Sequence, residues 1–259
     1  MKKNILYILF AFAVFGCISA DKSKVTLFTI GDSTMSDNRV ILDDPGDPGR
    51  GWAQVLGKFF DSEQLIVKNY AVSGRSSKSF IDEGRWDKVK EQIKPGDYVL
   101  IQFGANDQKK QDPKRYTDPE TAFKDNFRKF ITETREKGGI PVLATSVVRR
   151  RWNKEGELVD TYGRYVETVR EIAKEMNVPV VDMQVSTRKL VEEYGAEESK
   201  KLFLWVEPGV AERFPDGNKD DSHLNVHGAT EFSRLFVKEL REMKHPLSKY
   251  LHNNIDTIE

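Results

Sequence analysis

The chain has 259 residues, 38% hydrophobic and 32% charged, an ordinary composition for a soluble protein and a length that fits one large or two small domains. Lys+Arg and Asp+Glu both number 41, so no net charge draws the chain to nucleic acid or to an anionic membrane surface.

The N-terminus differs from the rest. Met1-Lys2-Lys3 is followed by an almost wholly apolar run from Ile5 to Phe15, then by Gly16, Ser19 and Ala20. A basic start, a short apolar run and small residues read as a secretory signal peptide over residues 1–20, shorter than a membrane span needs. Cys17, the one cysteine, follows Val14-Phe15-Gly16 as in a bacterial lipobox, although Phe15 is unusual at its place there. In that case Cys17 would carry a lipid anchor; cleavage after Ala20 would discard it instead. Either way no internal disulfide forms, and the core must hold the fold alone. The expectation is an exported protein, periplasmic, cell-surface or extracellular.

Residues 21–259 alternate two kinds of segment. The run at 25–30 is β-branched and aromatic, reads as a buried strand, and ends in the turn formers Gly31-Asp32-Ser33-Thr34. Further strands are expected at 65–70, 98–103, 141–145 and 178–182, with helices at 52–60, 85–93, 119–137, 162–176, 186–194 and 226–243. Phe123, Phe127, Phe130, Ile131 and Thr134 have the spacing of one apolar helix face, and Gly138-Gly139 stops that helix. Strands alternating with helices predict a three-layer α/β/α sandwich with a mainly parallel five-stranded, flavodoxin-like sheet. No repeat or linker divides the chain, so one domain is expected over 21–259. Two polar loops stand out, 36–50 and 207–221.

Ligands of open α/β sheets bind beyond the carboxyl ends of the strands. The first predicted strand leads to Gly31-Asp32-Ser33, the second to Ser73-Gly74-Arg75, and the third to Gly104-Ala105-Asn106-Asp107; Asp220-Asp221-Ser222-His223 opens the last predicted helix. Each has a structural explanation by itself: Asp32, Ser33 and Thr34 as helix caps, Gly74 as a turn, Asn106 as a turn former, His223 as a surface side chain. Together they hold every part of an acyl-transfer site. A serine hydroxyl is a weak nucleophile and needs a neighbouring base. His223 can take the Ser33 proton and return it to a leaving alcohol. An acid can hold the imidazole; Asp220 has the right spacing, with Asp221 its competitor. The Ser33 and Gly74 backbone N–H groups and the Asn106 amide can face an oxyanion, with Gly74 permitting close backbone approach. A helix beginning at Ser33 would add its dipole.

The order Gly-Asp-Ser, Gly, Gly-x-Asn-Asp, Asp-x-x-His resembles the SGNH (GDSL-type) hydrolase superfamily over roughly residues 25–240. The stretches GDSTM, YAVSGRSSKSFIDEGRWDKV, GDYVLIQFGANDQ and FPDGNKDDSHLNVHGA are similar to its rhamnogalacturonan acetylesterase branch. Ala105 stands where some members carry His, at a variable position. The resemblance implies deacetylation of pectic polysaccharide without a metal or other cofactor. It implies Ser33 as nucleophile, Asp220 and His223 completing a triad, and Gly74 and Asn106 in the oxyanion hole.

A polyanionic galacturonate backbone would suit arginine forks, so Arg75 and Arg149, together with Arg85, Arg150 and Arg151, are candidate substrate contacts. Trp152 is a candidate sugar platform, whereas Trp52 and Trp86 fall in helical patterns that favour the core. His223 and His227 have a zinc-compatible spacing, but a zinc site would leave the serine blocks unexplained; His227 is expected to cap or pack the last helix. No protein partner is implied. The rival readings are a lipase, lysophospholipase or thioesterase of the same superfamily, which should show an apolar acyl channel, and a non-catalytic glycan-binding protein.

Overall fold

The computed structural model describes residues 24–37 and 48–259. The predicted signal peptide, the Cys17 anchor and positions 38–47 of the first polar loop lie outside the described residues. The described residues form strands β1 (Val25–Gly31), β2 (Gly49–Arg50), β3 (Leu65–Asn69), β4 (Tyr98–Gln102), β5 (Ile140–Ala144), β6 (Val180–Val181), β7 (Phe203–Val206) and β8 (Asn218–Asn225). The helices are α1 (Trp52–Val55), α2 (Ser77–Asp82), α3 (Arg85–Lys90), α4 (Ala122–Glu136), α5 (Arg164–Glu175), α6 (Met183–Glu198) and α7 (Val226–Glu242).

The central sheet is the predicted five-stranded one, all parallel, in the order β3-β1-β4-β5-β6. Counting its strands along the chain, this is the flavodoxin-like order, and the direction of winding reverses between β1 and β4. Side chains alternate between the two faces of a strand. Leu27, Leu100, Val142 and Ala144 therefore join one core with Trp52, Met183, Phe232 and Phe236 of α1, α6 and α7. Phe28, Ile30, Val99, Ile101 and Leu143 join the other with Phe80, Trp86, Phe127 and Val169 of α2 to α5. Helices thus cover both faces, and strands with two buried faces read as unbroken apolar runs. The α4 stripe packs as its spacing predicts, with Phe123, Phe127, Phe130 and Ile131 all at 0% exposure. Each such side chain contributes about 1.5–3 kcal/mol relative to remaining exposed.

The structure departs from the sequence reading beside the site. The predicted loop 207–221 is partly strand: β8 pairs antiparallel with β7 and β2 in a second, three-stranded sheet. Asp220 and His223 lie on β8, not at the opening of the last helix. Only Leu224 of the eight residues Asn-Lys-Asp-Asp-Ser-His-Leu-Asn is buried, so β8 carries no alternating apolar signal. The predicted helix 52–60 divides into α1 and a 3₁₀ turn at Leu56–Phe59. Helix α2, absent from the sequence reading, is short and starts with a Ser76–Ser79 capping box.

Candidate active site

β1 delivers the chain to a turn locked from several sides. The buried Asp32 carboxylate accepts from both the Thr34 N–H and its hydroxyl, each at 2.9 Å. Gln102 of β4 donates to the Thr34 hydroxyl at 2.7 Å and accepts from the Trp52 indole at 3.1 Å. The Trp52 N–H reaches the Thr34 carbonyl at 2.8 Å. Gly51 crosses so close that a Cβ there would lie 2.3 Å from the Met35 backbone, which excludes any larger residue. Ser33 is half-buried between buried Asp32 and Thr34. Asp32 and Thr34 shape the turn, as expected. No helix begins at Ser33, since α1 starts at Trp52, so the expected helix dipole is absent there.

The Ser33 Oγ lies 2.8 Å from His223 Nε2, and His223 Nδ1 lies 2.7 Å from Asp220 Oδ2. The other Asp220 oxygen accepts from the Ser222 and His223 N–H groups at 2.7 and 2.9 Å, which fixes the carboxylate against its histidine. Asp221 faces elsewhere: it binds the Arg150 guanidinium at 2.7 Å and the Trp205 indole at 2.9 Å. The Asp220 hydrogen bond raises the His223 pKa against the opposing effect of burial. Burial alone would raise Asp220, but the hydrogen bond from His223 and its charge outweigh burial and hold the carboxyl below its ordinary value. An imidazolium formed at His223 is therefore stabilised in place.

Gly74 has φ +79°, a left-handed conformation that favours glycine. The nearest atom to a Cβ there would be an Arg115 nitrogen at 4.0 Å. The backbone conformation by itself requires glycine here. The Asn106 Nδ2 donates one proton to the Arg75 carbonyl at 3.0 Å, and a primary amide carries a second. Next to it, buried Asp107 accepts from the Ser77 N–H at 3.0 Å, the Ser77 hydroxyl at 2.5 Å and the Thr117 hydroxyl at 2.9 Å. These bonds tie the Asn106 loop to the start of α2, just beyond Gly74. Burial pushes the Asp107 carboxyl up to about 7 despite those donors. The sequence reading did not single out this brace; its signal was the acid that ends Gly-x-Asn-Asp.

Ser33, Asp220 and His223 line a cleft of about 250 Å³, with Ser73, Arg50, Arg213 and Phe214 among its other walls. The last three were not anticipated; Arg213 and Phe214 come from the polar β7–β8 connection, where no apolar pattern marks them. Of the predicted substrate contacts, Arg149 packs 4.5 Å over the Tyr162 ring, and its charge acts on both Asp32 and His223. Arg75 binds Glu83 at 3.0 Å and lines an adjoining hollow. Trp152 does not line the Ser33 cleft: its ring packs against the larger core and borders a separate hollow with Leu158 and Arg188. Arg150, at 7% exposure, joins the hairpin to the end of α6 through Asp221 and Ser199 and is structural. Trp52 and Trp86 are core residues, as expected.

Among the described residues no three His, Cys, Asp or Glu side chains are grouped to hold a metal ion. His223 lies on β8 and His227 in α7, where His227 is exposed and meets the Tyr194 hydroxyl at 3.3 Å. Asn225, not His227, caps α7 by accepting from the Gly228 N–H at 2.9 Å.

Residues 29–230 match the GDSL-like Lipase/Acylhydrolase family. Over 230 residues the chain is 41% identical to the rhamnogalacturonan acetylesterase RhgT of Bacillus subtilis, covering 89% of this chain and 95% of that one. It is 32% identical to the probable rhamnogalacturonan acetylesterase YesY of the same organism, covering 86% and 95%. Among solved structures, YxiM of B. subtilis superposes with a TM-score of 0.71 at 25% identity, covering 86% of this chain and 58% of that one. Axe2, an acetylxylan esterase of Geobacillus stearothermophilus, has a TM-score of 0.60 at 19% identity, covering 87% and 98%, a likeness of fold.

Proposed function

The chain belongs to the GDSL-like lipase/acylhydrolase family and is a carboxylic ester hydrolase; from that premise we propose that it is a serine esterase removing acetyl groups from acetylated rhamnogalacturonan. The observation that carries the mechanism is the continuous hydrogen-bonded run from Ser33 through His223 to Asp220. Ser33 Oγ attacks the acetyl carbonyl while His223 Nε2 takes its proton. The Ser33 and Gly74 N–H groups and the free Asn106 amide proton receive the oxyanion. As the tetrahedral species collapses, the C–O bond to the sugar breaks and His223 protonates the departing hydroxyl. Water then attacks acetyl-Ser33, His223 takes its proton, and acetate leaves with Ser33 restored. Asp220 stabilises the imidazolium in both halves.

The cleft favours a short acyl group. Its volume of about 250 Å³ is small, and Arg50, Arg213, Asn218 and Ser73 share its walls with Leu204 and Phe214. A lipase would need an apolar channel for a long chain. The pectic substrate rests on the named relatives. The order of residues 1–20 supports export, with lipidation at Cys17 and cleavage after Ala20 as alternatives; mass spectrometry of the mature N-terminus distinguishes them. The test of function is acetate release by purified residues 21–259 from acetylated rhamnogalacturonan, acetylated xylan and a long-chain lipid ester, with Ser33→Ala as blank. Ser33-dependent acetate from the pectic polymer is expected. Cleavage of xylan or lipid alone would overturn the substrate, and an active Ser33→Ala protein would overturn the nucleophile.

A further inference from the structure

A second hollow of about 570 Å³ adjoins the Ser33 cleft, and Ser73 lines both. Its lining includes Asn69 to Ser73, where the chain leaves β3, an edge strand of the central sheet. Its walls carry Arg75, Arg85 and Lys88 beside the Tyr70 ring, with Asp37 as the acidic side chain among its lining residues. Arg75 and Arg85 both donate from Nε to one oxygen of Glu83, at 3.0 and 2.5 Å. A single carboxylate thus holds two guanidinium groups side by side. Arg75 also spends a terminal nitrogen on the Ser73 carbonyl at 3.0 Å, while the Arg85 hydrogen bond to Glu83 uses its Nε. Lys88 makes no ion pair among the described residues.

We infer that this hollow is a subsite for the carboxylate of an acidic sugar, placed one or more units along the polysaccharide from the acetylated sugar at Ser33. The inference rests on the polysaccharide-esterase reading and adds to it the place where the polymer's charge is recognised. Guanidinium forks match carboxylates in plane and spacing, and both arginines held by Glu83 line this one hollow. The contiguity at Ser73 lets one chain occupy both hollows. A neutral acetylated polymer would enter the Ser33 cleft but gain nothing from Arg85 and Lys88.

The test is binding of a short, unacetylated galacturonate oligomer to Ser33→Ala protein by calorimetry, beside the same protein carrying Arg85→Gln and Lys88→Gln. Both side chains lie on the outer face of α3, which is anchored by buried Trp86 and Val89, so an unchanged melting temperature verifies folding. We expect the Kd to rise about tenfold or more in the variant, the scale of losing charge-assisted hydrogen bonds. The affinity of the Ser33→Ala protein should also fall as salt is raised. A neutral xylo-oligomer should bind both proteins alike. Equal galacturonate binding by the two proteins, or none by either, overturns the subsite. Acetate release in the three-substrate assay is read separately: its failure with oligomer binding retained removes the substrate assignment but not the subsite.

Discussion

Replacing Asn106 with alanine tests whether this amide is a preorganised oxyanion donor. Its Nδ2 is held at 3.0 Å to the Arg75 carbonyl, so one proton fixes the amide plane and the other has a set direction before substrate arrives. Such a donor needs no reorganisation at the moment of reaction, and its loss costs about 10²–10³ in kcat, or about 2.7–4 kcal/mol. The same substitution removes the partner of the Arg75 carbonyl, at a site where Asn106 is only 4% exposed. An unsatisfied acceptor costs about 1–3 kcal/mol of stability, and in a chain of this size each kcal/mol lowers Tm by about 2–4 °C. The assay is steady-state acetate release from a small acetyl ester, beside a thermal melt. Asn106→Asp serves as the near-isosteric comparison, because a carboxylate there would repel the oxyanion and should be no better than alanine. A kcat within about threefold of wild type, or a rise in KM with kcat unchanged, would refute the role, because the contact belongs to the transition state.

Asp220→Asn should lower kcat by about 10⁴-fold, as loss of the histidine's acid does in comparable triads. Because His223 acts as a base only when neutral, wild-type kcat/KM should fall as pH drops through a pKa raised above the ordinary histidine value by Asp220; in Asp220→Asn that limb should move to lower pH, and an unmoved limb would dissociate it from this pair. Asp221→Asn should affect stability more than turnover, since it weakens the bond to Arg150, whose side chain is 8% exposed; an intact buried pair broken outright costs about 3–5 kcal/mol, and the partial exposure of Asp221 reduces that. Gly74→Ala should lower stability by about 1–2 kcal/mol through its left-handed backbone alone, there being room for the methyl group; an unchanged melt would contradict the conformational argument.

The inner strands of the central sheet were legible because both their faces are buried. Val25–Gly31 is β-branched and aromatic, Tyr98–Gln102 is a nearly continuous apolar run, and their ends fall where turn residues stand. The α4 stripe was legible because one helix face is apolar and the other charged. β8 was not: its pairing is written in backbone hydrogen bonds, which carry no side-chain signature, and its polar residues look like loop. The Asp220–His223 pairing was still readable, because an acid three residues before a histidine can reach its ring whatever element carries them. Spacing already favoured Asp220 over its competitor Asp221, and the coordinates show why Asp221 is set apart: it is held by Arg150 and Trp205. Trp152 misled for the opposite reason: a tryptophan flanked by arginines in a polar stretch looks exposed until the long-range contact with the core is seen.

The proposed nucleophile, Ser33, and its proposed base, His223, reside on separate sheets. Ser33 follows β1 of the central sheet, while His223 and Asp220 ride on the small hairpin sheet, whose polar strand contributes one buried side chain, Leu224. Phe203 and Leu224 anchor the small sheet in the larger core, but the rest of β8 is polar and only partly buried, and segments with few apolar contacts open at lower free energy than the core. Heating or mild denaturant should then silence the enzyme while the parallel sheet is still folded, and cooling should restore it without refolding of the whole chain. Turnover would thereby serve as a gauge of one hairpin's attachment, and loss of activity would be an early warning of unfolding rather than its measure.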